Sequence, residues 1–444
     1  AAVAAQAGTD HLITLRARGY QNERVLAPDP ALIRRLAARP AARIAVVDEG
    51  PGLSGSSFAS TVELLRTAGV EAQGIVLIPS HAGPPGGAAT PDTLWLWRAV
   101  ERCPADFDTT ILAPAQHDRR LEHWFDDLIG APVAPIENLS AGAWRSHFDW
   151  GPAGPPAVDA CRERRKFRLQ TSGGEYLLKF SGLGRGAPAT LERASRLHTA
   201  GVCPPALALR HGFLLQPWLA GWRPLSTAPV DRRALLQTLC AYLRFRTRAF
   251  PAPPAEATPV RDLAEMARCN ALALLGAGGE RRIAALLGPL AEVTPAPVHV
   301  DARLHPSEWL VSPQGDLVKT DAIDHSTDHF LVGAQDIAWD IAGAAVEFDL
   351  DAAERDALAQ AAARDGPPWP VSVLRAYETC YLAFEAGRWS LALASAADAE
   401  TAAVRTRAEG YRRRLAALAG PDGGAAGVAR PVAGASRVAG RLEV

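Results

Sequence analysis

Cysteine is scarce in this sequence, and long apolar runs are absent. The six cysteines among 444 residues are scattered and form no Cys-x-x-Cys pair, which argues against a structural zinc site. No apolar run is long enough to span a membrane and no segment resembles a signal peptide, so we expect a cytoplasmic protein without a membrane partner. With a net charge of −1, the chain has no global attraction to nucleic acid.

Methionine and lysine are also scarce. The chain begins at Ala1 and its single methionine is Met266, so we expect a sequence that lacks its natural N-terminus. Arginine far outnumbers lysine, which we interpret as coding bias. The hydrophobic content of 48% and the charged content of 21% are typical of a soluble globular protein, and the length allows two or three domains. Nothing in the composition indicates the oligomeric state.

The first 135 residues alternate short apolar runs with a helical pattern. Runs rich in Ile, Val and Leu at 43–47, 74–78 and 109–113 predict buried strands. A helix is predicted from Ser57 to Ala68, between the first two strands. Strand, helix and strand in this order predict a βαβ unit, and therefore an α/β domain with a parallel sheet over 1–135.

A loop of small residues follows the first predicted strand, in the stretch "AVVDEGPGLSGSSF" at 45–58. Asp48 and Glu49 end the strand, where carboxylates can bind ribose hydroxyls or contribute to a Mg²⁺ site. Backbone N–H groups and the dipole of the following helix favour an anion at this place. The alternative is an ordinary turn between a strand and a helix. The residues that would hold a phosphate are Ser54, Gly55, Ser56 and Ser57.

This stretch resembles the PRPP-binding motif of type I phosphoribosyltransferases. The resemblance implies that the acid pair Asp48 and Glu49 and the phosphate-holding residues 54–57 bind PRPP. The loop is one residue longer than the usual motif, and we find no pyrophosphate loop upstream of it. The resemblance therefore predicts a phosphoribosyltransferase-like domain that is incomplete at its N-terminus.

The pattern changes after residue 135. "KFRLQTSGGEYLLKF", from Lys166 to Phe180, predicts a β-hairpin, and a helix is predicted around 189–200. Residues 231–292 and 336–418 are mostly helical in pattern and flank a strand–loop–strand patch at 297–323. The segment 420–444 lacks periodicity, which predicts a disordered tail.

A second constellation lies in "VHVDARLHPSEWLV", 298–311, and the following "GDLVKTDAIDH". Phosphoryl transfer needs a carboxylate near the acceptor hydroxyl, oxygen ligands for Mg²⁺ and a cation on the phosphates. The two stretches resemble the catalytic loop of the aminoglycoside phosphotransferase and choline kinase branch of the protein-kinase-like fold. In this chain the Leu-His-Pro motif comes two residues later than in the family pattern.

That resemblance implies a role for each matching residue. His299 and Asp301 match the catalytic His-x-Asp pair, with Asp301 as the acceptor-side carboxylate. Glu308 falls where the family has a metal-binding Asn, and Asp321 matches the second metal-binding acid, with Asp324 in reserve. Asp340 matches the acid that ties the catalytic loop to a helix.

Upstream residues fit the same resemblance. Lys179 matches the lysine that binds the nucleotide, and Glu192 on the next helix is its expected ion-pair partner. The segment 213–221 resembles the hinge that meets adenine. Residues 137–145 are either the glycine-rich loop or a linker. We therefore expect an α+β bilobal kinase-like domain, with a small lobe over 136–220 and a helical large lobe over 221–419.

Together the two resemblances predict a bifunctional enzyme. One module would transfer a phosphoribosyl group from PRPP, and the other would move a phosphoryl group from ATP to a hydroxyl, both with Mg²⁺. The expected substrate is a small molecule such as a nucleoside, a nucleobase or a sugar. The alternatives are a regulatory protein that binds nucleotide and PRPP without catalysis, and a chain in which only the kinase-like half is active.

Two further patterns carry less weight. The basic stretch 161–168 is more typical of a solvated strand than of a nucleic-acid interface, so we expect no nucleic-acid partner. Residues 324–329 contain two Asp and two His at a spacing that suits a metal, with a polar loop as the simpler interpretation.

Overall fold

The structure, a computed structural model, describes residues 2–15, 17, 24–38, 43–160, 162–183, 187–323, 333–363 and 368–420. The chain divides into two compact units, unit 1 (Ala1–Ala131) and unit 2 (Pro132–Val444). The Asp/His set at 324–329, which includes the reserve metal ligand Asp324, lies outside the described residues. The predicted disordered tail lies outside them as well, apart from Gly420.

Unit 1 contains a parallel sheet with strand order β1-β2-β3 among its described residues. The strands are β1 (Ile44–Val47), β2 (Ile75–Ile78) and β3 (Glu101–Arg102). The helices are α1 (Ala2–Gln6), α2 (Pro30–Ala37), α3 (Ser56–Thr67), α4 (Pro91–Ala99) and α5 (Asp126–Ile129). Helix α3 connects β1 to β2, so the predicted βαβ order is confirmed.

The core of unit 1 lies between α3, α4 and the sheet. Phe58, Val62 and Leu65 recur at helical spacing on α3 and are buried against Ile75 and Leu77 of β2. Their burial favours packing of the helix on the sheet, because each buried apolar side chain contributes about 1.5–3 kcal/mol. This packing fixes the start of α3 beside the end of β1.

The strand predicted at 109–113 is wrong. Residues Asp108–Leu112 form a helical turn, and the third strand is β3, which is short, charged and exposed. The side chain of Asp106 accepts a hydrogen bond from the N–H of Thr109 at 2.9 Å, which favours a helical start at this position. The apolar residues at 109–113 favour a strand prediction. The two charged residues of β3, Glu101 and Arg102, give no such pattern.

The N-terminal part of unit 2 is an antiparallel sheet with strand order β4-β5-β6-β8-β7. Its strands are β4 (Glu137–Asn138), β5 (Lys166–Thr171), β6 (Gly174–Phe180), β7 (Ala208–Arg210) and β8 (Phe213–Pro217). Helix α6 (Ala187–Thr199) follows β6. The predicted hairpin and helix are confirmed, and residues 137–145 begin as the edge strand of this sheet.

The remainder of unit 2 is mainly helical, as the pattern predicts. Its helices are α7 (Arg232–Ala249), α8 (Val260–Leu286), α9 (Ala338–Glu347), α10 (Ala352–Ala362), α11 (Val371–Ala394) and α12 (Asp398–Ala419). Its short strands are β9 (Arg223–Pro224), β10 (Pro297–Val298), β11 (Trp309–Val311), β12 (Leu317–Lys319) and β13 (Gln335–Asp336). Within the described part of the chain, no helix is both long and apolar enough to cross a membrane.

The short strands form two small antiparallel sheets that present the predicted catalytic loop. β11 pairs with β12 and β9, and β10 pairs with β13. The loop 299–308 therefore begins at one small sheet and ends at the other. The order of an antiparallel sheet, a helix, a connecting strand and a helical region is the one that the sequence analysis expects for a bilobal kinase-like domain.

Candidate functional site

The loop that carries Asp301 is fixed by a carboxylate on α9. The two oxygens of Asp340 accept hydrogen bonds from the backbone N–H groups of Asp301 and Ala302, at 2.7 and 2.9 Å. Burial raises the pKa of Asp340 to about 6, against the opposing charge of Arg246 at 3.8 Å. The predicted tie between the catalytic loop and a helix is present.

Asp301 is only 1% exposed, and hydrogen-bond donors surround its carboxylate. Its Oδ1 accepts the N–H of Arg303 at 3.2 Å, and its Oδ2 accepts the hydroxyl of Tyr242. Burial raises the pKa of Tyr242 well above its usual value, although Arg246 opposes the shift, so the phenol stays protonated and donates. The carboxylate of Asp301 is therefore held rigidly.

Lys319 joins three acidic positions of the site and is fully buried. Its Nζ lies 2.8 Å from Oε2 of Glu308 and 3.7 Å from Oδ2 of Asp301, and it donates to the carbonyl oxygen of Asp321. The register of the β11–β12 hairpin pairs Lys319 with Trp309 and so brings it beside Glu308. Burial alone lowers the pKa of Lys319, but attraction to the three acids outweighs burial and the pKa is raised.

Lys179 also reaches this site, from near the C-terminal end of β6. It is buried and forms an ion pair with Oδ1 of Asp321, which lies 142 residues later in the chain. The predicted partner, Glu192, is instead exposed on α6, so the prediction of a Lys179–Glu192 pair is wrong. A buried ammonium is costly without a nearby carboxylate, and Asp321 supplies it.

Glu308 is bracketed by two cations. Its Oε2 faces Lys319, and its Oε1 lies 3.0 Å from Nε of Arg303. The sequence analysis predicts a metal ligand at this position. The contacts favour a different role, in which the charge of Glu308 holds Arg303 and Lys319 in place.

Arg303 lies between Asp301 and the Leu-His-Pro motif, in the part of the loop that is two residues longer than the expected pattern. Ala302 before it has a φ of 66°, in the left-handed region that costs a residue with a side chain about 1 kcal/mol or more. The side chain of Arg303 is 40% exposed, and its terminal nitrogens make no hydrogen bond to the described residues. Burial opposes its charge, but nearby acids prevail and raise its pKa; they are Glu308, Glu385, Asp321 and Glu163.

His299 does not join the carboxylates. Its Nε2 lies 3.7 Å from Oε2 of Glu256, and no contact links it to Asp301, Asp321 or Lys179 within the described ranges. Burial and the charge of Arg193 lower its pKa, so the imidazole is neutral near pH 7. The geometry does not support the catalytic role predicted for His299, because its ring is turned toward Glu256.

Among the carboxylates of this site, Asp321 is the best candidate ligand for a divalent cation. It follows β12 and is part-exposed, with Lys179 paired to its Oδ1, whereas Glu308 lies between two cations and Asp301 is enclosed. Mg²⁺ commonly takes one or two carboxylates and completes its shell with water and substrate phosphates. A site of this kind with Asp321 as ligand is chemically consistent with the arrangement.

The loop 48–55 of unit 1 has a different character. Asp48 and Glu49 are exposed at the end of β1, and Oδ1 of Asp48 accepts the N–H of Glu49 at 2.9 Å. Gly55 has a φ of 63° and stands immediately before α3. The hydroxyls of Ser54 and Ser56 lie 2.9 Å apart. The strand before the loop belongs to a parallel sheet, as the phosphate-binding prediction requires.

A second loop packs on this one. The N–H of Gly86 donates to the carbonyl of Gly52 at 2.9 Å, and the N–H of Ala88 donates to that of Leu53 at 3.1 Å. A Cβ on Gly55 would lie 2.7 Å from Pro85. Gly55 and Ser54 are consequently buried, whereas Ser56 and Ser57 at the start of α3 are part-exposed.

Sequence reasoning missed Lys319 and Arg303. The chain contains three lysines, Lys166, Lys179 and Lys319, and two of them meet at this site. An ammonium is a compact cation that can lie between several carboxylates, whereas a guanidinium is larger and planar. In a chain with three lysines, the position of each lysine was the available signal.

No protein-family model and no curated protein matches the sequence. Solved structures similar to this chain include the choline kinase LicA from Streptococcus pneumoniae, at 14% identity and a TM-score of 0.42, covering 66% of this chain and 98% of that one. A second is the spectinomycin phosphotransferase APH(9)-Ia in complex with ADP and spectinomycin, at 12% identity and 0.44, covering 68% and 97%. A third is a choline/ethanolamine kinase family protein from Mesorhizobium loti, at 15% and 0.40, covering 66% and 90%.

Proposed function

We propose that unit 2 is an ATP-dependent phosphotransferase that acts on a hydroxyl group of a small molecule. The observation that carries this proposal is a chain of contacts: Lys319 lies near Asp301 and donates to the backbone carbonyl of Asp321, and the carboxylate of Asp321 pairs with Lys179. These residues come from β6, from the end of β12 and from the loop after β10. Phosphoryl transfer requires this combination of a cation for the phosphates, a carboxylate for Mg²⁺ and a carboxylate for the acceptor.

Each residue has a separate task in this proposal. Lys179 binds the phosphates of ATP, and Asp321 holds both Lys179 and the metal. Asp301 orients the acceptor hydroxyl and accepts its proton. Because Asp301 is enclosed by Tyr242 and Lys319, the hydroxyl reaches it only after one of these two donors shifts. When bound, Mg²⁺ would supply charge neutralisation on the transferring phosphates.

Arg303 contributes a second cation on the exposed side of the site. Its Nε lies 3.0 Å from Oε1 of Glu308, and its side chain is 40% exposed. A guanidinium fork of this kind binds phosphate oxygens in a bidentate way. We assign Arg303 to the γ-phosphate of ATP, which predicts that Arg303→Gln weakens binding of a non-hydrolysable ATP analogue more than binding of ADP.

The test is ADP release from ATP and Mg²⁺ in the presence of nucleosides, sugars and other small hydroxyl compounds. Asp301→Asn keeps the shape of the side chain and removes its basicity. We expect it to lower kcat by about 10²–10⁴-fold, the usual contribution of a positioned base, while ATP binding is retained. Asp356→Asn makes the same change on the exposed face of α10 and serves as the matched control.

Two results would count against this proposal. Equal turnover of wild type and Asp301→Asn would remove Asp301 from the mechanism. ATP binding that depends on Lys179, combined with no ADP release by wild type above that of a sample without protein, would favour the regulatory alternative, in which the fold binds nucleotide without catalysis.

We further propose that unit 1 binds a phosphorylated ribose compound, with PRPP as the expected ligand. The position of the loop 48–55 between a parallel strand and the start of α3 supports this assignment, because helix N-termini attract phosphate. Asp48 and Glu49 are exposed at the end of β1, and carboxylates can bind ribose hydroxyls or Mg²⁺.

Titration of the chain with PRPP and with ribose 5-phosphate, each with and without Mg²⁺, tests the second assignment. Binding that disappears in the double variant Asp48→Asn/Glu49→Gln supports it. PRPP binding that survives unchanged in this variant would place the ligand elsewhere, and failure of wild type to bind either compound would overturn the assignment.

A further inference from the structure

Unit 1 contains a cluster of two histidines and a glutamate that is separate from the loop 48–55 in sequence. Two consecutive 3-10 turns, His117–Arg119 and Leu121–His123, bring His117, Glu122 and His123 together. One nitrogen or oxygen ligand atom from each residue lies within 4.8 Å of the other two. Neither proposed function uses these residues.

The spacing of the ligand atoms is close to that of a metal site. Nε2 of His123 lies 3.6 Å from Oε1 of Glu122, and the imidazole rings of His117 and His123 have centroids 4.1 Å apart. A tetrahedral Zn²⁺ with bonds of about 2.0–2.2 Å holds its ligand atoms about 3.3–3.5 Å apart. The distances between ligand atoms thus need to shorten by at most about 1.5 Å for the cluster to close around the ion.

A neighbouring carboxylate already orients one of the histidines. Nδ1 of His123 is 2.9 Å from Oδ2 of Asp126, which leaves Nε2 as the nitrogen that faces Glu122. Metal-binding histidines usually present their other ring nitrogen to a carboxylate in this way. The backbone is anchored on both sides of His123, because Leu121 and Phe125 are completely buried.

The surrounding charge is compatible with a cation. Glu122 and Asp126 are acidic, and the positive group paired with Glu122 is Arg120, whose Nη1 lies 3.9 Å from Oε1 of Glu122. At that distance Arg120 makes a weak ion pair in a part-exposed setting, which a coordinated metal can replace. Two imidazoles and one carboxylate are donors that suit Zn²⁺ and not Mg²⁺.

We propose that His117, Glu122 and His123 bind Zn²⁺, with Asp126 orienting His123 and a water molecule completing a four-coordinate site. This site is independent of the phosphotransferase and phosphoribosyl assignments. This donor set contains no thiolate, so the lack of a Cys-x-x-Cys pair in the sequence does not argue against it. The corresponding sequence signal is His-x₄-Glu-His, at 117–123.

The test uses the full chain without a histidine tag, freed of metal by a chelator and titrated with Zn²⁺ in competition with a chromophoric chelator. We expect wild type to bind Zn²⁺ tightly, and we expect His117→Gln/His123→Gln to bind one Zn²⁺ per chain fewer. Replacement by Co²⁺ should give a visible spectrum of a four-coordinate ion that is absent from this variant. Binding should weaken at acid pH, because protons compete for the imidazole nitrogens.

Two further variants make the result decisive. Asp126→Asn keeps all three ligands and should weaken Zn²⁺ binding by about 10–100-fold, the usual effect of losing the carboxylate behind a metal-bound histidine. His325→Gln/His329→Gln is the control, because it removes the other histidine pair with metal-like spacing. The proposal is overturned if the control variant loses the bound Zn²⁺ while His117→Gln/His123→Gln retains it. It is also overturned if wild type binds no Zn²⁺.

Discussion

The two segments predicted to bind phosphorylated ligands hold their charges in opposite ways. In unit 2, Lys319 and Asp301 are buried and depend on one another and on Glu308. In unit 1, Asp48 and Glu49 are exposed, and the loop that carries them is held by backbone hydrogen bonds. Water solvates an exposed charge, whereas a buried charge has only its protein partners. The same change of charge should therefore have very different costs in the two segments.

The largest effect is expected at Lys319. Lys319→Met preserves most of the length and removes the ammonium, which leaves Asp301 and Glu308 without the cation between them. Breaking a buried ion pair from one side costs about 3–5 kcal/mol, so we expect a loss of that order in the free energy of unfolding. Urea unfolding with two probes, circular dichroism and tryptophan fluorescence, measures it.

Lys166→Met is the matched control for this change. Lys166 pairs with Glu163 at 2.7 Å, but its side chain is 20% exposed and stands at the start of β5. Its loss should cost at most about 1 kcal/mol, as for other part-exposed pairs. Equal costs at Lys319 and Lys166 would show that the buried network does not carry the stability assigned to it.

The secondary structure of both segments could be predicted from the sequence. The hairpin around Thr171–Gly174 and the helix after Gly55 follow from turn residues and from periodicity, which are local properties. The failure at 109–113 is also local, since a side-chain cap by Asp106 outweighs a weak apolar run. Features that depend on neighbouring residues, such as turns, caps and helical periodicity, can be predicted from a single sequence.

The partners of the charged residues could not be predicted in the same way. Lys179 was assigned to Glu192, 13 positions away, but it pairs with Asp321, and the position of Lys319 depends on the register of the β11–β12 hairpin. These choices are made by tertiary packing between segments far apart in the chain. The role of Arg303 could not be predicted for a related reason. The position of its side chain depends on the longer loop and on the left-handed backbone of Ala302.

In the loop of unit 1, the backbone should matter more than the charge. Gly55→Ala places a methyl group 2.7 Å from Pro85 at a φ of 63°, which should cost about 1–3 kcal/mol. Gly52→Ala has a similar φ of 60° but no atom within 4 Å of the new Cβ, so it isolates the backbone part of that cost. Thermal unfolding of both variants measures the difference. If Gly52→Ala is as damaging as Gly55→Ala, the packing against Pro85 contributes nothing.

A buried histidine of unit 2, His305, should also make the stability of this unit depend on pH. Burial, together with the charges of Arg407 and Arg303, lowers the pKa of His305 well below its usual value. The unfolded chain therefore binds a proton near pH 6.5 that the folded chain does not, and this contribution to stability is lost as the pH falls below about 6.5, by up to about 1.4 kcal/mol per unit. The difference in unfolding free energy between wild type and His305→Gln should shrink from pH 7 to pH 5. A difference that is constant over this range would contradict the sign of the shift.

The smallest effect on stability is expected from the acid pair of unit 1. Asp48→Asn/Glu49→Gln changes two exposed side chains, and such substitutions usually alter the free energy of unfolding by no more than about 0.5 kcal/mol each. Glu308→Gln in unit 2 changes one carboxylate but leaves Lys319 and Arg303 without its charge, so it should cost several times more. If the exposed pair serves a ligand and not the fold, the double variant is stable and its defect appears only in titrations with a phosphorylated ribose compound. A large loss of stability in the double variant would mean that Asp48 and Glu49 hold the loop itself, and their exposure would then not indicate a binding role.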